Sequence, residues 1–165
     1  MTIKVLKQIE LTDAIYFAGF FDGEGCIGIY ERAAHHAGPD AKNPYFAIGI
    51  SVSNTNFEVL RHIKRTCGGI IGKKERDRLT QAGNLKSPLW RWSAQSRESI
   101  HIVKFALPYL IVKREQALFA IEFHNSVMEY SRCIGHWGHV KLTPEEVQRR
   151  RDCVTRMMSL KRSPK

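Results

Sequence analysis

Acidic residues are scarce in this chain, and so are cysteines and long apolar runs. Charge or a Gly/Pro interruption breaks every hydrophobic stretch well short of the roughly 18 residues that a membrane-spanning helix needs, so no membrane partner is expected. The stretch Met1 to Glu10 carries Lys4, Lys7 and Glu10 and lacks the apolar h-region of a signal peptide, which predicts a soluble intracellular protein. Cys26, Cys67, Cys133 and Cys153 are too few and too widely spaced for a disulfide framework and read as free thiols of a reducing compartment. Repeats, low-complexity segments and linkers rich in Pro, Gly or Ser are missing too, so the 165 residues are expected to form one domain, not two.

What the chain has in excess is positive charge: 26 Lys plus Arg against 16 Asp plus Glu, a formal balance of +10 and a pI near 9.7. With 43% hydrophobic and 10% aromatic residues it can bury a core, which argues against intrinsic disorder. So basic a chain either carries a solvated basic surface or meets an anionic partner, and nucleic acid, acidic membrane and acidic protein are the candidates.

Leu11 to Phe21 reads as a helix with Thr12 as N-cap and a hydrophobic staple from Leu11 to Tyr16. It is apolar nearly all round. One stripe, Ile15, Ala18, Gly19, Asp22 and Gly23, is built of small residues suited to close approach of another helix, while Phe17 and Phe20 supply bulk for the chain's own core. Past Gly25 the period changes to alternation over Cys26 to Arg32 and Tyr45 to Asn54, a hairpin with a long loop. Asn54 or Thr55 caps a helix carrying Phe57, Leu60 and Ile63, ended by Gly68-Gly69. A second strand pair follows at Ile70 to Arg76 and Leu89 to Ala94, then helices at about 97–106 and 113–130. A last helix opens at Thr143 as N-cap, with Pro144 at its first position and Glu146 completing a capping box. The order is αββαββααα.

At the first helix-to-strand junction stands Phe17-Ala18-Gly19-Phe20-Phe21-Asp22-Gly23-Glu24-Gly25. This stretch resembles the LAGLIDADG motif of homing endonucleases, with Phe for the first Leu, Phe20-Phe21 for Leu-Ile, Gly for the second Ala and Glu for the second Asp. The element order, the basic sheet and the length match the single-motif members of that family, over about residues 10–130, with a C-terminal helical extension at about 131–165. The resemblance implies an α+β fold, αββαββα, with a curved antiparallel DNA-binding sheet backed by helices. It also implies a homodimer joined through Ile15, Ala18, Gly19 and Asp22, because one motif is present and no second copy follows it. The family's acid is the eighth motif residue, here Glu24. Two such acids at a two-fold axis, with Gly23 contributing beside them, form a hard-oxygen site for Mg²⁺ shared between subunits. The plain alternative is a solvated polar turn after a buried helix.

Two more positions match the family by context. Asn54 falls where a polar residue organises water near the metal, and Lys113 falls where a basic residue assists cleavage; Gln116 would support them from behind. The implied activity is hydrolysis of both strands of a long, near-palindromic duplex, cut across the minor groove with short 3′ overhangs. An intron-encoded gene and a prokaryotic cytoplasm or an organelle, chloroplast or mitochondrion, are the implied setting.

Alternation in the predicted strands puts Cys26, Gly28, Tyr30 and Arg32 on one face and Tyr45, Ala47, Ser51 and Ser53 on the matching face of the next strand, opposite Ile27, Ile29, Phe46, Ile48, Ile50 and Val52. The polar set is the expected DNA side. Lys73, Lys74 and Arg76 occupy both phases of the third strand, and Arg91, with Arg78 and Lys86, adds to a basic rim that would set register on phosphates. Trp90 and Trp92 are expected in the core. The Arg149-Arg150-Arg151 cluster, with Arg156, Lys161, Arg162 and Lys165, is either a phosphate contact or solvated helix surface. Gly28-Ile29-Tyr30 with Ile48-Gly49 imitates a GIY-YIG nuclease but has Ala47 where its Tyr belongs. Cys133, His136, His139 and Cys153 match no common zinc spacing. The remaining alternatives are a non-cleaving relative of the same fold, acting as an RNA maturase on intron RNA or as a DNA-binding regulator, and a basic ribosome-associated protein.

Overall fold

The computed structural model of the chain describes residues 9–33, 43–74, 87–133 and 142–162. Along them run α1 (Leu11–Glu24), β1 (Gly25–Arg32), β2 (Tyr45–Asn54), α2 (Phe57–Cys67), β3 (Ile70–Lys74), β4 (Leu89–Gln95), α3 (Ser96–Ala106), a 3₁₀ turn (Leu107–Tyr109), α4 (Arg114–Cys133) and α5 (Pro144–Arg162). The α+β order is the expected one, with ends displaced by no more than a helical turn. Among the expected features, Arg76, Arg78, Lys86 and the Gly/His loop at 134–139 lie outside the described residues.

The four strands form one antiparallel sheet in the order β1-β2-β4-β3. Its register pairs Ile27 with Ile50, Ile29 with Ile48 and Val52 with Trp92, so the β-branched residues and the tryptophan fall on one face. That face and the helices share a single buried cluster, with Phe17 and Phe21 from α1, Leu60 and Ile63 from α2, Ile102 and Val103 from α3 and Phe123 from α4. Trp92 is fully buried, as expected, and Trp90 is half-buried against Phe57 with ring centroids 4.8 Å apart.

Three local expectations are corrected. Thr12 is not the cap of α1: the helix starts at Leu11 behind Glu10, whose carbonyl takes the Ala14 N–H at 3.0 Å, and the proposed staple residues Leu11 and Tyr16 are both exposed. Burial of Ala14, Phe17, Ala18 and Phe21, spaced i, i+3, i+4, i+7, outweighs the preference for a hydroxyl cap. The cap of α2 is Asn56, whose Oδ1 accepts from the N–H groups of Glu58 and Val59. In α5, Thr143 Oγ1 does accept the Glu146 N–H at 3.2 Å, but the Glu146 carboxylate is taken by Arg149 and Arg150.

The turn from α2 to β3 uses Gly68 and Gly69, at φ +83° and +76°, conformations that cost a residue with a Cβ. Glu98 Oε1 accepts the Gly69 N–H at 2.8 Å, and Trp92 Nε1 donates to the Gly68 carbonyl at 2.8 Å, so the turn is held by both a helix and the central sheet.

The C-terminal helix packs against α4 and along edge strand β1. Arg151 grips Glu31 of β1 with two nitrogens, and Met157 enters the core. An edge strand covered in this way is protected from pairing with another chain. No helix among the described residues is long and apolar enough to cross a membrane.

Candidate active site

The motif occupies the last two turns of α1 and the first residue of β1. Residues 14, 17, 18 and 21 face the core, which leaves the offset row Ile15, Gly19 and Gly23 facing outward. A β-carbon built on Gly19 or Gly23 meets nothing within 4 Å, so this row is an open, shallow strip of helix backbone. Ile15 is 50% exposed on it, with Leu11 and Tyr16 alongside. Two residues expected in the interface belong elsewhere. Ala18 is fully buried in the chain's own core, and the Asp22 side chain turns to the segment ahead of α4.

Asp22 Oδ2 accepts the N–H groups of Ile111 and Val112 at 2.7 and 3.1 Å, and Oδ1 accepts that of Lys113 at 2.9 Å. In return, Lys113 Nζ donates to the Asp22 carbonyl. Lys113 is the cap residue of α4, its carbonyl taking the Ala117 N–H. A carboxylate thus stands at the positive end of α4 and an ammonium at the negative end of α1, the favourable sense at both helix ends. Lys113, expected near the motif, is brought to within two residues of Glu24 along α1.

Glu24 is the final residue of α1 and is exposed. Its carboxylate makes no hydrogen bond or ion pair with any described residue. It immediately precedes the Gly25–Val52 pair, at the end of the sheet where β2 closes with Ser53 and Asn54. Asn54 Oδ1 accepts the Asn56 N–H at 2.8 Å and shapes the turn into α2; its amide nitrogen is not used there. Gln116 donates to the Leu160 carbonyl at 3.4 Å, so it ties α4 to α5 and does not back Glu24.

The donors at this helix end suit a hard cation. They are one carboxylate and the last carbonyls of α1, Gly23 included, at the negative pole of a helix. One chain is short of a full set: no group of three His, Cys, Asp or Glu residues among those described could hold a metal. Mg²⁺ prefers six oxygens, so these donors alone would not complete its shell.

The sheet face away from the helices begins beside this point. Register places Cys26, Gly28, Tyr30 and Arg32 level with Ser51, Gly49, Ala47 and Tyr45, and sets Ser53 opposite Arg91. It also resolves the third strand. Gly72 pairs with Arg91 and Lys74 with Leu89, so Lys74 shares the open face, whereas Lys73, level with Trp90, belongs to the helix side. Exposed Arg91 donates to Ser51 Oγ at 3.2 Å, and Tyr45 shares a 2.7 Å hydrogen bond with Ser96.

Gly28 and Ala47 are buried and cannot present side chains to a ligand. Instead the Tyr30 ring lies across the glycines: a β-carbon on Gly28 would stand 2.4 Å from it, and one on Gly49 3.1 Å. Burial pushes the Tyr30 hydroxyl pKa up, reinforced by neighbouring Cys26. Lys161, from the end of α5, donates to Cys26 Sγ at 3.4 Å and stands 5.9 Å from the Tyr30 ring centre. Nothing in the sequence pattern signals that the last helix reaches the rim of this face, because the contact spans 135 residues.

A family model described as LAGLIDADG endonuclease matches residues 17–110. Among solved structures, the chain is similar to the archaeal intron-encoded homing endonuclease I-Vdi141I complexed with DNA, at 17% identity, covering 93% of this chain and 86% of that one, with a TM-score of 0.65. It is similar to the homing endonuclease I-CvuI in complex with its target, at 16% identity, 89% and 95% coverage and a TM-score of 0.55. It also matches I-SmaMI bound to cleaved DNA, at 15% identity and a TM-score of 0.63, where 89% of this chain corresponds to 44% of that one. At such identities the likeness establishes the fold. No curated protein sequence matches the chain.

Proposed function

The chain belongs to the LAGLIDADG endonuclease family, and from that premise we propose that two copies form a Mg²⁺-dependent, site-specific endonuclease acting on double-stranded DNA. The dimer hydrolyses one phosphodiester in each strand of a long, near-palindromic site and leaves short 3′ overhangs. The observation that carries this reading is the exposed Glu24, without a partner among the described residues, at the end of a helix whose outer strip is Ile15, Gly19 and Gly23. One carboxylate per chain suits a metal site completed across a two-fold axis, and bare glycine backbone lets two helices approach closely enough to complete it. The correspondence of this chain to about half of I-SmaMI supports the same stoichiometry.

Glu24 and the Gly23 carbonyl would hold the cation, which when bound supplies charge neutralisation and Lewis acidity at a phosphodiester. Lys113 places an ammonium at the same helix end, where it offsets charge developing on the phosphate. Arg32, Arg91 and Lys74 on the open face set register on the backbone and read base edges, with Ser51 orienting Arg91. Asn54, at the mouth of the site, has an amide nitrogen free of its turn to order water.

The test is incubation of the purified protein with a randomised duplex library, with and without Mg²⁺. Cleavage confined to the Mg²⁺ arm, with a near-palindromic consensus among the cut molecules, is the expected result. A protein that binds duplex DNA or RNA but cuts nothing in either arm would be a binder of the same fold, and the reading would be lost.

A further inference from the structure

Four hydrogen bonds join Asp22 to residues 111–113 across about ninety residues of sequence. We infer that Asp22 is a positioning residue for the cleavage reaction: it clips the start of α4 onto the end of α1 and so fixes the Lys113 ammonium beside Glu24. This rests on the endonuclease reading above, in which Lys113 serves the scissile phosphate.

Both carboxylate oxygens of Asp22 are engaged, and all three backbone N–H groups they accept belong to the segment that carries Lys113. Those groups precede the first turn of α4, where no intrahelical acceptor exists, so Asp22 acts as a cap supplied by another helix. A lysine side chain is long and freely rotating, and an ammonium placed an ångström away from the reacting phosphate loses most of its effect. Here the backbone of Lys113 is anchored by the Asp22 side chain and its Nζ by the Asp22 carbonyl, so one residue holds both ends. The Nζ partner is a carbonyl at the negative end of α1, a weak anionic site that an arriving phosphate oxygen can replace without moving the lysine backbone.

The clip therefore has two separable consequences: stability, from capping α4, and rate, from placing Lys113. Asp22→Ala and Asp22→Asn are compared with Lys113→Ala and with the Asp22→Ala/Lys113→Ala double variant. Each is measured for single-turnover cleavage at saturating duplex, for duplex affinity without divalent metal, for dimerisation and for melting temperature. Asp22→Ala is expected to slow cleavage by roughly 10²-fold, with duplex affinity and dimerisation within about threefold of the wild type. Asp22→Asn, which keeps one acceptor oxygen, should recover part of that loss.

The decisive expectation is non-additivity. The double variant should cut no more slowly than Lys113→Ala, because removing the clip has nothing left to misplace. Rate losses that multiply would overturn the positioning role, as would a rate loss matched by loss of dimer or duplex binding. If Asp22→Ala fails to fold, Asp22→Asn decides alone by the same comparison with its Lys113→Ala double. A wild-type protein that cuts no duplex removes the endonuclease reading first and this role with it; wild-type cutting with an unimpaired Asp22→Ala removes this role alone.

Discussion

Arg150 Nε donates to Glu146 Oε1 at 2.6 Å with the two side chains only 8% and 6% exposed. Glu146 also accepts from Nε and Nη2 of Arg149, at 2.7 and 2.8 Å, and the Arg150 guanidinium lies against the rings of Phe46 and Tyr130. The Arg149-Arg150-Arg151 cluster is thus neither plain solvated surface nor a free phosphate-binding patch. Arg151 is bound to Glu31, and Arg156 sits 4.6 Å over the Phe119 ring. Replacing Glu146 with Ala leaves a buried guanidinium uncompensated, at a cost of about 3–5 kcal/mol. For a chain of this size that lowers the melting temperature by roughly 10 °C, measurable by calorimetry. An unchanged transition would show that the buried pair is not what holds α5 in place.

The same acid makes stability depend on pH. Burial by itself would raise the Glu146 carboxyl, but the hydrogen bonds and charges of Arg149 and Arg150 outweigh it and hold the group below the usual carboxylate range. Its contribution is complete above the unfolded value of about 4.3 and is lost as pH falls through the folded one. His124 is held low by burial, then by the charges of Lys104 and Arg97. The unfolded chain takes up that proton near pH 6.5 while the fold resists it, so stability declines below about 6.5 as well. Urea midpoints across pH should fall in two stages, and His124→Gln should remove only the upper one. A single stage retained in that variant and in the wild type alike would exclude His124.

Variants at Gly19 test the proposed assembly separately from folding. Since a side chain there meets nothing in its own chain, Gly19→Ala should raise helix stability by up to about 1 kcal/mol. Gly19→Leu should fold normally and sediment as a monomer, because its bulk holds two helices apart. A Gly19→Leu dimer would move the interface away from this strip.

Glu24→Gln keeps size and shape but weakens the carboxylate's hold on a cation. Cleavage should drop by roughly a thousandfold or more, and duplex affinity measured without metal should stay within a few-fold of the wild type. Chelation of divalent metal should mimic the variant. Retained cutting would remove Glu24 from the chemistry.

Salt titration tests the face assignment. If a dimer neutralises about ten phosphates, log affinity falls with log salt at a slope of about −9. Lys74→Ala removes a contact from each half and should flatten the slope by about 2. Lys73→Ala, on the helix side of the sheet, should change it less. Equal effects would mean that the two phases of β3 are not distinguished by DNA.

Alternation and glycine punctuation were sufficient to read the element order, the bounds of β2, the buried tryptophan and the motif at the end of α1, whereas the caps of α1 and α2 were not. These are local properties, carried by neighbours within a turn or a strand. By the same local logic Ala18 and Asp22 fall on the outward stripe of α1, because a helical wheel shows which residues share a side but not how wide a side the sheet takes. The core takes residues 14, 17, 18 and 21, and the outward strip narrows to 15, 19 and 23.

What only the tertiary structure decided are the contacts between residues far apart in the chain. Register alone separates Lys74 from Lys73, since a one-residue slip exchanges the two faces. The clip from Asp22 to Lys113, the closure of α5 over β1 and the reach of Lys161 to Tyr30 join positions about 90 to 135 residues apart. No periodicity encodes them. The sequence by itself determined which side chains could do chemistry at the end of α1; packing of α1 against the sheet, α3 and the segment ahead of α4 decided which of them face outward and which hold the others in place.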